Sequence, residues 1–141
     1  MDTETQVSGP LVLVVDDEAA FREILSLRLS AAGMRVVEAS SADEAIRIAG
    51  EQHPDLVLSD VSMPPGRSGW DLAFALRANP ATAGIPFAFL TSLHDPWAEF
   101  GGKKEDRRRI LADVSIIDKT NDFATIGDRA RRLIENAGRP R

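Results

Sequence analysis

Residues 11–17 read LVLVVDD, a run of five apolar residues that ends in two carboxylates. A continuous apolar run of this kind is typical of a strand buried on both faces of a parallel sheet, where neither face needs polar side chains. Strands are also predicted over residues 34–38, 55–59, 85–90 and 114–117. Four of the five runs lead into polar residues that could carry chemistry. These are Asp16 and Asp17, Asp60, Thr91 and Ser92, and Lys119.

Stretches with helical periodicity separate the strands. Gly33 should end the first helix, a capping box of Ser41 and Glu44 should begin the second, and Asn121 should cap the last. Alternating strands and helices predict a three-layer α/β sandwich around a parallel sheet. Residues 92–112 fit this pattern least well, and we expect either two short helical pieces or a mobile stretch there.

The composition predicts one compact domain without a membrane span. The chain has 141 residues, of which 43% are hydrophobic, and no apolar run approaches the ~20 residues that a membrane helix needs. It contains no cysteine, which excludes disulfides and thiolate metal sites and favours a cytoplasmic protein. We expect a flexible leader over residues 1–10, one domain over 11–137 and a tail over 138–141.

Charge is unevenly distributed along the chain. Residues 1–60 hold 12 acidic and 4 basic residues, whereas residues 61–141 hold 10 acidic and 13 basic residues. This asymmetry fits either an uneven solvated surface or an acidic cation site opposite a basic, partner-facing surface. The basic residues form no nucleic-acid-binding motif, so direct DNA binding is not expected.

The polar strand ends predict a site for a divalent cation. Ligands in parallel sheets bind beyond the carboxyl ends of the strands, which places Asp16, Asp17, Asp60, Thr91 and Lys119 around one crevice. Carboxylates ~4 Å apart repel each other by roughly 4 kcal/mol at an effective dielectric of about 20. Such a cluster is stable when it binds a cation, and Mg²⁺ prefers oxygen ligands. We therefore predict Mg²⁺ held by Asp17, and by Asp16 through water, beside Asp60.

The same residues are suited to phosphoryl transfer. Asp60 can attack phosphorus and form an aspartyl phosphate, while the Lys119 ammonium and the Thr91 hydroxyl bind the phosphoryl oxygens. Each residue taken alone also has a structural explanation, such as helix capping by Asp17 or a solvated Lys119. Their joint placement at four strand ends favours the functional interpretation.

At these residues, from Leu11 to about Ala137, the chain resembles the response-regulator receiver domains of two-component signalling. The resemblance is carried by the Asp16-Asp17 doublet, the segment DVSMP at 60–64, Thr91-Ser92 and Lys119. It implies a flavodoxin-like, doubly wound sheet with the strand order 2-1-3-4-5.

The resemblance also implies residue roles and partners. Asp60 would be the phosphoacceptor, Thr91 the switch hydroxyl and Lys119 the phosphate-binding lysine. Asp16, Asp17, Asp60 and the backbone carbonyl of Ser62 would hold Mg²⁺. A histidine kinase or histidine phosphotransfer protein would donate the phosphoryl group, and an unknown protein would bind the face formed by residues 92–137. Homodimers occur in the family. The chain would be no metabolic enzyme, although it would catalyse its own phosphorylation and slow dephosphorylation.

The chain departs from the family pattern in the switch region. Ile116 occupies the position of the usual aromatic switch residue, and Thr120 replaces the usual proline, which predicts a trans Lys119–Thr120 bond. The loop over residues 64–69 is one residue longer than usual. Residues 103–109, where the family's fourth helix should lie, contain five basic residues.

Two other functions are compatible with parts of this pattern. A receiver fold that binds partners without phosphorylation is favoured by Ile116. A phosphohydrolase of the haloacid-dehalogenase type also uses aspartate, Mg²⁺, threonine and lysine. However, its two aspartates are separated by one residue, whereas Asp16 and Asp17 are adjacent, and this chain leaves no room for a cap domain.

Overall fold

Strands and helices alternate along the computed structural model, which describes residues 9–92 and 113–137. The strands are β1 (Leu11–Val15), β2 (Arg35–Ala39), β3 (Leu56–Ser59), β4 (Phe87–Thr91) and β5 (Ser115–Asp118). The helices are α1 (Ala19–Ala31), α2 (Ala42–Gln52), α3 (Gly69–Ala78) and α4 (Phe123–Ala137). The predicted helical pieces of residues 92–112, most of the predicted leader and the predicted tail lie outside the described residues.

The five strands form one parallel sheet in the order β2-β1-β3-β4-β5, which confirms the predicted architecture. The strand boundaries differ from the prediction by one or two residues. Asp55, predicted to begin the third strand, precedes β3, and its carboxylate accepts a hydrogen bond from the Leu11 backbone N–H at 2.8 Å. Thr91 belongs to β4 itself rather than following it.

The central strands are apolar because both faces of the sheet are covered. Side chains alternate between the faces, so Leu13 and Val15 pack with α2 and α3, whereas Val12 and Val14 pack with α1 and α4. The two hydrophobic clusters therefore lie on opposite sides of the sheet, as a three-layer sandwich requires.

Helix ends follow the sequence signals in most cases. Ser41 caps α2 and accepts a hydrogen bond from the Glu44 N–H, but Glu44 accepts from the Ser40 N–H, so the predicted box is only half formed. A complete capping box joins Ser68 and Asp71 at α3, where none was predicted.

The last helix is capped one residue later than predicted. The Asp122 carboxylate, not Asn121, accepts the hydrogen bond from the Thr125 N–H at 2.7 Å. Gly33 follows α1 with a φ of 94°, a conformation that favours glycine, as expected for the residue that ends this helix.

The isomers of two peptide bonds and the length and apolar character of the helices complete the description of the backbone. The Lys119–Thr120 peptide bond is trans, and the cis peptide bond among residues 9–92 and 113–137 joins Pro64 to Pro65. None of the described helices combines the length and the apolar character that a membrane crossing demands.

Candidate functional site

The carboxyl ends of four strands place polar side chains along one edge of the sheet. The backbone ladder continues past the strand ends, because the Asp16 N–H donates to Ala39 O at 3.1 Å and the Asp60 N–H to Val15 O at 3.0 Å. The Lys119 N–H donates to Thr91 O at 2.9 Å. These bonds fix where each side chain leaves the backbone.

The Lys119 ammonium lies at the centre of this edge. Its Nζ is 2.7 Å from Asp16 Oδ2, 3.1 Å from Asp60 Oδ2 and 3.2 Å from Glu18 Oε1. Burial alone would lower the pKa of Lys119, but the hydrogen bond to Asp16 and the charge of Asp60 more than offset it and raise the pKa. Lys119 is therefore cationic at any physiological pH.

Asp16 is the most deeply buried of the site's carboxylates. The residue is only 2% exposed, and its Oδ1 accepts a hydrogen bond from the Glu18 N–H at 2.8 Å. Burial raises the pKa of Asp16, although the hydrogen bonds from Lys119 and from the Glu18 N–H oppose this effect. The buried negative charge of Asp16 thus depends on the Lys119 ammonium.

Asp60 follows β3 and is held on both carboxylate oxygens. Oδ1 accepts from the Val61 N–H at 2.7 Å, and Oδ2 faces Lys119. The first residue of α3, Gly69, passes so close that an added Cβ would overlap the Asp60 carbonyl oxygen. Only glycine allows α3 to begin this close to the Asp60 backbone.

Three carboxylates of the site could hold one metal ion. Asp16, Asp17 and Asp60 each offer an oxygen, and these oxygens lie within 4.8 Å of one another. Asp17 is exposed and Asp60 is partly exposed, which leaves an approach from solvent. An all-oxygen donor set fits a hard divalent cation such as Mg²⁺.

An aromatic pair supports the lysine from the side of α1. The Lys119 Nζ lies 4.4 Å from the centre of the Phe21 ring, and the Phe21 and Phe123 rings lie 5.7 Å apart. A cation over a ring face gains electrostatic energy, and the ring limits the directions in which the ammonium can move. Phe21 therefore contributes to the position of Lys119.

The structure brings together four of the residues predicted for the site, namely Asp16, Asp17, Asp60 and Lys119. Thr91 is buried at the neighbouring strand end, and Ser62 lies exposed two residues beyond Asp60. The roles predicted for Thr91 and for the Ser62 carbonyl stay predictions.

Sequence reasoning missed two residues that contact Lys119. Glu18 directly follows the Asp16-Asp17 doublet, so an acidic triplet was the available signal. Phe21 showed only the helical spacing of a core residue. Ile116, which occupies the place of the family's aromatic switch residue, is partly buried against the hydrophobic cluster on the α2 and α3 side of the sheet.

Comparison with known proteins agrees with this geometry. Residues 12–100, more than half of the chain, match the family model described as the response regulator receiver domain. The chain belongs to this family. Receiver domains are signalling domains of two-component systems, and the relatives found for this receiver are regulators rather than metabolic enzymes.

Individual relatives show how far the similarity extends. The receiver is 39% identical over 84 residues to the phosphate regulon transcriptional regulatory protein PhoB of Pseudomonas aeruginosa, covering 60% of this chain and 36% of PhoB. The chain spans about a third of the length of the curated relatives that it matches.

Solved structures support the fold over most of the chain. The chemotaxis response regulator CheY4 of Vibrio cholerae is 26% identical with a TM-score of 0.75, covering 89% of this chain and 99% of CheY4. The receiver domain of a signal transduction histidine kinase from Syntrophus aciditrophicus is 26% identical with a TM-score of 0.73, covering 94% of this chain and 96% of that domain.

Proposed function

We propose that this receiver is a phosphoacceptor switch that takes a phosphoryl group on Asp60. The observation that carries the proposal is the Lys119 ammonium, which lies 2.7 Å from Asp16 and 3.1 Å from Asp60 at the edge where Asp17 completes an acidic cluster. A nucleophile, a cation and a group of metal-binding oxygens at one rim are what phosphoryl transfer to a carboxylate requires.

The donor in this proposal is a phosphohistidine of a histidine kinase or a histidine phosphotransfer protein. Asp60 Oδ2 attacks phosphorus, the O–P bond forms, and the P–N bond to the imidazole breaks. The electron pair of that bond returns to the imidazole nitrogen. Asp60 Oδ1 stays on the Val61 N–H, which holds the carboxylate plane during the attack.

The residues of the site divide the remaining tasks. Lys119 moves from Asp60 Oδ2 to an oxygen of the phosphoryl group and neutralises its charge. Thr91 binds a second oxygen through its hydroxyl. Asp16, Asp17, Asp60 and the carbonyl of Ser62 would hold Mg²⁺, which when bound would supply positive charge to the phosphoryl oxygens. The receiver catalyses both this transfer and the slow hydrolysis of the aspartyl phosphate, in which water attacks phosphorus, the P–O bond to Asp60 breaks and inorganic phosphate leaves.

A small phosphodonor tests the proposal without the kinase. Wild type incubated with phosphoramidate and Mg²⁺ should gain the mass of one phosphoryl group, located on Asp60 after borohydride trapping. Asp60→Asn should gain none, because the amide is no nucleophile. Asp43→Asn, which changes an exposed carboxylate paired with Arg67, should behave like wild type. An unmodified wild type, or an equally modified Asp60→Asn, would overturn the proposal.

The consequence of phosphorylation is a change in partner binding on the face formed by residues 92–137, of which β5 and α4 are described. Because Ile116 occupies the position of the aromatic switch residue, the partner recognises the phosphorylated state of this face without the rotation of an aromatic ring. The downstream partner is a protein, and the switch acts by altering its affinity for this face.

The position of Ile116 also favours a second function, partner binding that does not depend on phosphate. Ile116 is packed against the core and provides no movable ring. Partner affinity measured for wild type and Asp60→Asn, each with and without phosphodonor, separates the two functions. Affinity that is equal in all four samples supports the second function, and an increase confined to phosphorylated wild type supports the first.

A further inference from the structure

Lys119 has as many carboxylate partners in the described part of the chain as it has N–H donors. An ammonium offers three donors and no acceptor, and Asp16, Asp60 and Glu18 occupy them. A phosphoryl group on Asp60 brings three strong acceptor oxygens. The donor that faces Asp60 Oδ2 passes to one phosphoryl oxygen when Oδ2 becomes bonded to phosphorus. A second donor reaches the phosphoryl group only if Asp16 or Glu18 is released.

The three partners differ in what their release would cost. The Asp16 side chain is only 3% exposed, and separation from Lys119 would leave a buried, uncompensated charge. The contact with Asp60 is exchanged for one with a phosphoryl oxygen and frees no further donor. Glu18 has a side chain that is 70% exposed, so water can replace Lys119 around its carboxylate at little cost. Glu18 is the partner to be released.

We propose that Glu18 is a positioning residue that competes with the phosphoryl group for Lys119 and so weakens the binding of phosphate at Asp60. The inference rests on the proposed function and adds a residue to it. The carboxylate of Glu18 acts in two ways. It holds the third donor of the ammonium before phosphorylation, and it leaves a negative charge near the phosphoryl oxygens afterwards.

The competition is measurable with beryllofluoride. This ion mimics a phosphoryl group on a carboxylate, and its binding requires no phosphoryl transfer. At saturating Mg²⁺, Glu18→Gln should bind beryllofluoride roughly 2- to 5-fold more tightly than wild type, the range expected for one exposed ion pair. A Mg²⁺ titration of each variant without beryllofluoride establishes the saturating concentration, and equal melting temperatures exclude a merely structural effect.

Two control variants separate the loss of the contact between Glu18 and Lys119 from the loss of a negative charge near the site. Glu23→Gln removes an exposed carboxylate of α1 that is not among the three partners of Lys119, and its affinity should equal that of wild type. Glu18→Asp keeps the charge but shortens the side chain by one methylene, and it should gain affinity if the contact with Lys119 is what competes.

The outcomes decide between the two proposals. Equal or weaker beryllofluoride binding by Glu18→Gln, or the same gain in Glu23→Gln, would overturn the role of Glu18 while leaving Asp60 as the phosphoacceptor. If wild type itself bound no beryllofluoride at any Mg²⁺ concentration, the phosphoacceptor function would fail, and the role of Glu18 would fail with it.

Discussion

Two largely buried cations lie at opposite ends of the sheet and differ in how their charge is balanced. Lys119 lies at the carboxyl end, and Arg77 lies at the amino end, where α3 ends. Their side chains are almost equally exposed, at 11% and 10%. Lys119 is shared by three carboxylates, whereas Arg77 donates to the carbonyls of Ala83 and Ile85 and pairs with the exposed Asp113 at 3.2 Å.

This difference distinguishes a functional from a structural use of buried charge. At Arg77 one cation meets one anion and two neutral carbonyls, and only the buried Nε has no hydrogen-bond partner among the described residues. At Lys119 the carboxylates outnumber the cation, so the carboxyl end carries an excess of negative charge that a divalent cation would balance. Arg77 should therefore stabilise the fold, and Lys119 should be required for the chemistry.

Removal of the Lys119 charge should have the largest effect. Lys119→Met should lower the phosphorylation rate with phosphoramidate by about 100-fold or more, because it deletes the cation that meets the phosphoryl charge. It should also lower the free energy of unfolding by about 3 kcal/mol at neutral pH without Mg²⁺, because Asp16 is left buried and unpaired.

The matched variant for this prediction is Lys119→Arg, which keeps the charge and should retain most of the stability. Urea unfolding and intact-mass kinetics measure the two quantities separately. If Lys119→Met were phosphorylated as fast as wild type, Lys119 would have no part in the chemistry. Its role would then not differ from the structural role of Arg77.

Removal of the Arg77 charge should affect stability and leave the chemistry intact. Arg77→Met should lower the free energy of unfolding by about 2–3 kcal/mol, because the carbonyls of Ala83 and Ile85 lose a donor. Phosphorylation of the folded fraction should proceed at the wild-type rate. Arg47→Met, at an exposed helical pair with Glu51, should change stability by less than about 0.5 kcal/mol. A loss of phosphorylation in folded Arg77→Met would contradict the distinction.

A substitution that displaces Asp60 without changing any charge tests whether the position of Asp60 relative to Lys119 matters for phosphorylation. Gly69→Ala places a Cβ against the Asp60 carbonyl oxygen and should cost about 1–3 kcal/mol as the backbone shifts. Phosphorylation should slow, because Asp60 moves relative to Lys119. Gly50→Ala, where an added Cβ would meet nothing within 4 Å, should instead stabilise α2 by up to about 1 kcal/mol. Unchanged stability in Gly69→Ala would show that α3 can move away freely.

The sequence predicted the fold and the carboxyl-end residues because buried strands leave little freedom. A strand covered on both faces must be apolar, so a polar residue at its end is a clear signal. Asp16, Asp60 and Lys119 were found in this way. The resemblance to the family added the strand order.

Residues on helices and at helix ends were harder to predict. Glu18 lies at the start of α1 and Arg77 lies in the last turn of α3, and neither position in the sequence reveals which distant groups the side chain will meet. Asn121 and Asp122 are both favourable capping residues, so the sequence alone could not choose between adjacent positions.

Substitution of Asp122, whose carboxylate is fully exposed, should have the smallest effect on stability. The Thr125 N–H donates to its carboxylate and lowers its pKa, so the charge of Asp122 stabilises the folded state above the ordinary value of 3.8. Asp122→Ala should slightly lower the melting temperature at neutral pH. As the pH falls through the lowered pKa, the charge of Asp122 is lost in both states and the difference from wild type should shrink. Asp122→Asn, which keeps an acceptor without the charge, should lie between them, and a difference that grew in acid would contradict the assignment of this cap.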